Sequence, residues 1–152
     1  MGYTTNFSGQ FDITPKLRNK DLNFLVAFNR SRRMQRNLDP KYGVDGEFYV
    51  KDDDRGIVDS FRPPSTQPGL WCQWMPTGDG RALIWDGGEK FYDYVPWLQY
   101  LIDRVLKPRG YTLNGVVDWE GENRADSGRI EVVNNEIFIR RGTRSYGRPK
   151  RY

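Results

Sequence analysis

At 152 residues the chain fits one ordinary domain that can bury a core without covalent staples. It carries one cysteine, Cys72, and no histidine. That excludes an internal disulfide, cysteine-rich zinc sites, histidine-ligated metals and Ser-His or Cys-His catalysis. The net charge of +4 comes from one end: between Arg140 and Tyr152 stand six basic residues and no acid, and taking them from the total of 24 leaves 18 basic against 20 acidic side chains. Residues 141–152 therefore read as a basic, flexible C-terminal tail with weak nucleic-acid contact in reach. No apolar run approaches the roughly 20 residues that span a bilayer. The opening residues also lack the charged-then-apolar order of a signal peptide, so the expected location is the cytoplasm, with no membrane contact.

Residues 3–13 alternate, with Tyr3, Thr5, Phe7, Phe11 and Ile13 on one face, and predict a strand ended by Thr14-Pro15. A helix is predicted from Asn19 or Asp21 to about Arg33, its apolar face built from Leu22, Phe24, Leu25, Val26 and Phe28. Arg30, Arg32, Arg33 and Arg36 crowd its end, more cations than the helix dipole calls for. Residues 37–69 form a weakly patterned insert. A hairpin joining 47–50 to 57–58 is expected there, followed by a proline-rich loop.

The densest signal comes next. Residues 70–75 and 82–85 read as paired strands around a Pro76–Gly80 turn. Phe91, Tyr94, Val95, Leu98, Leu101, Ile102 and Val105 then step by three and four as an amphipathic helix requires, with Pro96 in its first turn and Pro108 and Gly110 stopping it. Residues 111–119 predict a strand that Asn114-Gly115 bulges or splits. Residues 129–133 and 137–140 predict a hairpin through Asn134-Asn135. The order β-α-(insert)-β-β-α-β-β-β gives an α+β, two-layer sandwich: a mostly antiparallel sheet with two amphipathic helices on it, in a single domain over residues 1–140.

Trp71, Trp74, Trp85, Phe91, Tyr92, Tyr94 and Trp97 fall within 27 residues. Trp71 and Trp74 have opposite strand parity, so only one of them is ordinary core. An aromatic rimmed by cations suits a planar anion. The candidate ligand-binding set is therefore Arg32, Arg33, Trp74, Trp85, Lys90 and Tyr92. Asp86-Gly87-Gly88-Glu89-Lys90 joins strand to helix but matches no phosphate-binding motif. Asp52-Asp53-Asp54 lacks calcium-loop spacing. Glu120, Glu122 and Asp126 are the carboxylates that an acid–base enzyme would use. No metal or cofactor is expected.

Several motifs together, Gly2-Tyr3-Thr4-Thr5-x-Phe7-x-Gly9-x-Phe11, Arg32-Arg33-Met34, Trp71-Cys72-Gln73-Trp74, Trp85-x-Gly87-Gly88-Glu89-Lys90-Phe91-Tyr92, Tyr111-x-Leu113-Asn114-Gly115 and Trp119-x-Gly121-Glu122, resemble an uncharacterised family of small phage and bacterial proteins. The resemblance implies a phage or prophage source and a role against host defences. The expected function is non-catalytic binding of a small anionic, nucleotide-like ligand, such as a host signalling molecule. The alternatives are an interaction module that docks on a host protein through exposed aromatics, and nucleic-acid binding through the tail. A homodimer is compatible with any of these.

Overall fold

A computed structural model describes residues 3–123, 125–142 and 150–152. The alternation near the start becomes strand β1 (Thr5–Thr14), which runs antiparallel to β6 (Thr112–Gly121) over ten paired positions. Beside them stand β4 (Trp74–Pro76), β5 (Ala82–Trp85), β7 (Ser127–Val133), β8 (Glu136–Arg141) and β9 (Lys150–Arg151). The described residues thus build a seven-stranded antiparallel sheet in the order β4-β5-β1-β6-β7-β8-β9. Helices α1 (Asn19–Arg30) and α2 (Tyr94–Tyr100) complete the α+β two-layer arrangement.

Strand parity decides which face is core. Phe11 pairs with Leu83 on one side and Gly115 on the other, and that row continues through Val132 to Ile137. The next row is Gly9, Val117, Ile130 and Ile139. Phe11, Leu83, Val117, Ile130, Val132, Ile137 and Ile139 are buried together with Leu25, Phe28, Trp97, Leu98 and Leu101 from the helical layer. The row nearest the end of the sheet is Phe7, Trp119, Gly128 and Arg141. There Gly128 makes room for the Trp119 ring, which a Cβ at position 128 would strike.

The α2 helix starts at Tyr94 and carries Pro96 in its first turn, as expected. It continues through a π-helical stretch (Leu101–Leu106) and a 3₁₀ turn (Lys107–Arg109) to Gly110, which takes the left-handed conformation. The wider π turn buries Leu101, Ile102, Val105 and Leu106 together. Asn134 and Asn135 both adopt positive φ, as a two-residue hairpin turn requires. The Asn135 side chain bonds the Leu113 N–H and the Tyr111 carbonyl, tying the turn to β6.

Five expectations are corrected. α1 ends at Arg30 because Ser31 turns extended and sends the chain back along the body. The hairpin between 47–50 and 57–58 does not form: β3 (Ile57–Asp59) pairs instead with β2 (Gln35–Arg36) in a separate ribbon. Residues 70–73 do not join the strand that follows. The Leu70 carbonyl accepts from the Arg33 N–H and the Cys72 carbonyl from Asn29, so the segment is held by the end of α1. Gly115 neither bulges nor splits β6, whose register with β1 runs unbroken through it. Finally, the basic segment is in part built into the sheet, since Arg141 closes β8 and Lys150–Arg151 pair with it as β9. Arg144 and Arg148 lie outside the described residues.

Substituting Gly128→Ala is expected to cost roughly 1–3 kcal/mol, because the Trp119 ring must leave its place over β7. Urea denaturation checks this. An unchanged midpoint contradicts the packing.

Candidate functional site

The six residues proposed as a ligand set divide into scaffold and surface. Arg33 is 1% exposed. Its guanidinium donates to the carbonyls of Glu47 (2.7 Å) and Tyr49 (2.9 Å), to Ser31 Oγ (2.7 Å) and to Gln67 Oε1 (3.2 Å), and it stacks 4.3 Å from the Phe28 ring centre. Burial lowers its pKa to about 10, which leaves it charged at neutral pH. Trp74 is equally enclosed, with Nε1 donating to the Tyr94 carbonyl at 2.8 Å. Neither faces a ligand: Arg33 is drawn in by buried carbonyls, and parity turns Trp74 toward the helices.

The other four are more accessible. Trp85 is half-buried, 5.2 Å from Phe7 between ring centres, and its Nε1 is 3.3 Å from Gln73 Oε1. With Trp74, Phe91 and Tyr94 it forms one ring cluster around Phe7. Burial, then the Asp126 charge, push the Tyr94 phenol up to about 12. Tyr92 is exposed at the cluster's rim, its hydroxyl accepting from the Tyr3 N–H at 3.1 Å. Lys90 is exposed with φ at 61°. Arg32 donates to the Ser60 carbonyl at 2.8 Å and lies over the Phe61 ring at 5.6 Å. None of the six is among the residues lining the concave surfaces beside Tyr100, Phe24 or Val50.

Arg32 leads to a surface that sequence reasoning missed. Phe61 is 80% exposed, Val58 63% and Trp71 44%. Such exposure of large apolar side chains is informative when they are held out rather than dangling. Phe61 is held: its N–H donates to Asp59 Oδ1, its predecessor's carbonyl takes Arg32, and the next residue's carbonyl takes the Gln35 N–H. Trp71 follows Leu70, whose carbonyl is fixed by Arg33. Both aromatics thus stand next to residues whose carbonyls are held by the extended chain that leaves α1. Phe61 sits in a proline-rich loop without periodicity, so the signal available was composition alone, an aromatic beside Arg62 and Pro63.

Beneath that loop lies a polar hub. Glu47 is 0% exposed. Its carboxylate accepts from Tyr100 OH (2.8 Å), Thr66 Oγ1 (3.0 Å), the Val44 N–H (2.9 Å) and both Nε and an NH2 group of Arg104. Burial alone raises its pKa, but these donors, Arg104 foremost, outweigh it and hold the carboxyl below its ordinary range. Outside the hub a groove of about 530 Å³ runs between Pro68 and the helical residues Gln99, Tyr100, Asp103 and Arg104, with Tyr152 on its wall. A second notch, of about 420 Å³, has Arg18, Lys20, Phe24 and Arg109 around buried Asp21.

The remaining acidic motifs are tied into the fold. Asp126 accepts from Tyr3 OH (2.8 Å) and Trp119 Nε1 (3.0 Å), and Glu122 from the Thr4 N–H (2.9 Å). Asp53 holds Tyr49 OH and the Arg55 N–H. Asp86 takes the Gly88 N–H and Asn29 Nδ2, so the Gly87-Gly88 turn closes on its own carboxylate rather than opening on an anion. Among the described residues no group of three His, Cys, Asp or Glu side chains stands where it would hold a metal ion, and no helix is long and apolar enough to cross a membrane. No protein-family model, curated protein or solved structure matches the chain.

Glu47→Gln is expected to cost roughly 1–3 kcal/mol at neutral pH, the cost of leaving buried donors poorly satisfied, since the charged partner Arg104 is itself partly exposed. Because the folded pKa is depressed, this stabilisation is complete above the ordinary carboxylate value of about 4.3 and is lost as pH falls through the folded value. Urea titrations from about pH 7 down to pH 3 should therefore show wild type and variant converging in acid. A gap that persists there contradicts a charged anchor.

Proposed function

We propose that the chain is a non-catalytic protein-interaction module that recognises its partner through the arginine–aromatic surface formed by Arg32, Phe61 and Trp71. The observation that carries this reading is Phe61, 80% exposed yet fixed at its own N–H and on both sides, with the Arg32 guanidinium over its ring. A phenyl ring carried on main chain that is already fixed leaves little chain entropy to lose on docking, and aromatic and arginine side chains dominate binding hot spots. Val58 adds apolar area, and exposed Arg62, paired with Asp59 at 3.5 Å, adds charge at the margin. The partner that fits is a folded protein with an apolar notch for the ring and acidic groups beside it. With 80% of its surface in solvent, Phe61 is suited to entering a notch on a protein rather than to enclosing a small molecule, whose sites are concave.

Placing a photoreactive phenylalanine analogue at position 61, with the same analogue at exposed Val133 as control, should yield a single covalent protein adduct at 61 alone. With that partner purified, Phe61→Ala should weaken binding by about 2 kcal/mol or more, roughly thirtyfold in Kd. Equal labelling at the two positions, or an unchanged Kd, sinks the reading.

Binding of a small anion is the second reading, carried by the notch at Phe24. There three cations, Arg18, Lys20 and Arg109, face the one carboxylate of Asp21, and Arg109 already stacks 4.4 Å over the ring centre. Calorimetric titration with nucleotides and pyrophosphate should show saturable heat that Lys20→Glu abolishes. Absence of heat across the panel removes this reading and leaves the first intact.

A further inference from the structure

The two edges of the large sheet are closed in different ways. At β4 the closure is a side chain of the core helix: Asn29 Nδ2 donates to the Cys72 carbonyl at 2.9 Å and reaches the Trp74 carbonyl at 3.4 Å. At β8 the closure is another piece of chain. Among the described residues two pair there, Arg151 opposite Phe138 and Lys150 opposite Ile139, against the six residues of β8. The ladder is extended by the Tyr152 N–H, which donates to the Ile137 carbonyl at 2.9 Å.

Parity then directs Tyr152. It stands opposite Ile137, whose side chain is buried on the helix-facing side of the sheet. On that side Tyr152 lines the 530 Å³ groove together with Gln99, Tyr100, Asp103 and Arg104. A strand edge whose added strand ends on the wall of a groove is a geometry in which such a strand is recognised. Main-chain hydrogen bonds supply affinity, and the groove selects the side chain that enters it. The occupant's chemistry is on view: a basic residue whose guanidinium pairs with Glu136 at 3.1 Å, followed by an aromatic on the groove's wall.

We propose that the β8 edge, with this groove beside it, is a strand-acceptor site that the segment Lys150–Tyr152 occupies within its own chain, and that the same segment of a second copy occupies in exchange. The internal contact is small. Its ion pair joins side chains that are 69% and 50% exposed, where such pairs contribute little. Tyr152 itself stays 54% exposed. A site held so lightly is exchangeable, and a second copy carries a segment of identical chemistry. Reciprocal exchange gives a closed two-fold dimer in which each protomer both donates and accepts.

Complementary charge reversal in the full chain tests this. Arg151→Glu alone and Glu136→Arg alone each place like charges across the internal contact. When the two variants are mixed, opposite charges meet only between copies. The carboxylate introduced at position 151 of one copy then faces the guanidinium introduced at position 136 of the other, and the unaltered Arg151 and Glu136 face each other in return. Native mass spectrometry distinguishes the two variants by mass. The expected result is a heterodimer in the mixture, its dimer fraction about tenfold above that of either variant alone. Tyr152→Ala in both should abolish it. The double variant Glu136→Arg/Arg151→Glu restores the internal pair and should match wild type. A mixture with no more dimer than the separate variants, or a heterodimer indifferent to Tyr152→Ala, overturns the proposal. Both reversed positions are exposed, and melting curves matching wild type verify that the variants fold.

Discussion

Two buried charges hold residues 37–69 on the body: the Arg33 guanidinium and the Glu47 carboxylate. An ion of either sign is costly to bury and persists only when its hydrogen-bonding capacity is filled. Arg33 meets this with two main-chain carbonyls and two side-chain oxygens. Glu47 meets it with five donors drawn from the segment itself and from the second helix. The two are linked, since Arg33 takes the Glu47 carbonyl and Gln67 bonds both that carbonyl and Tyr100 OH. A stretch with little regular structure thereby acquires one defined path. Arg36 repeats the device nearby, buried and donating to the carbonyls of Asp53 and Arg55.

From that anchoring follows the position of everything outside it. Because Arg33 turns inward from an extended chain, its neighbour Arg32 points out and covers Phe61. Because Glu47 draws Arg104 across, the π-helical part of the second helix stands beside the loop at Thr66 and Gln67, and the groove lies between them. The proposed docking surface and the groove are thus opposite products of one buried network. From the sheet side comes Tyr152, set on the groove's wall by the pairing of β9 with β8.

Much of the architecture was legible from local pattern. The alternation of β1, the three-four stepping of α2 and the paired asparagines before β8 all depend on neighbours within a few residues, and each matched its element closely. Legibility failed where long-range partners decide. In sequence Arg33 is one more cation at a helix end. Its burial depends on carbonyls at 47 and 49 and a glutamine at 67, which no window around residue 33 contains. Glu47 carries no local signal for the same reason. Strand parity predicts that only one of Trp71 and Trp74 is core, but Trp71 lies outside the strand altogether, because Asn29 and Arg33 hold residues 70–72 away from it.

The amino-acid sequence by itself determined the class of fold, because hydrophobic period is a local property that secondary structure must follow. It also removed histidine-dependent and disulfide chemistry through composition. Tertiary structure alone decided which polar residues are scaffold and which are surface. Burial of a charge is decided by whether distant groups satisfy it, and those groups meet only when the chain has folded. Arg32 and Arg33, adjacent in sequence and alike in chemistry, end on opposite sides of that division.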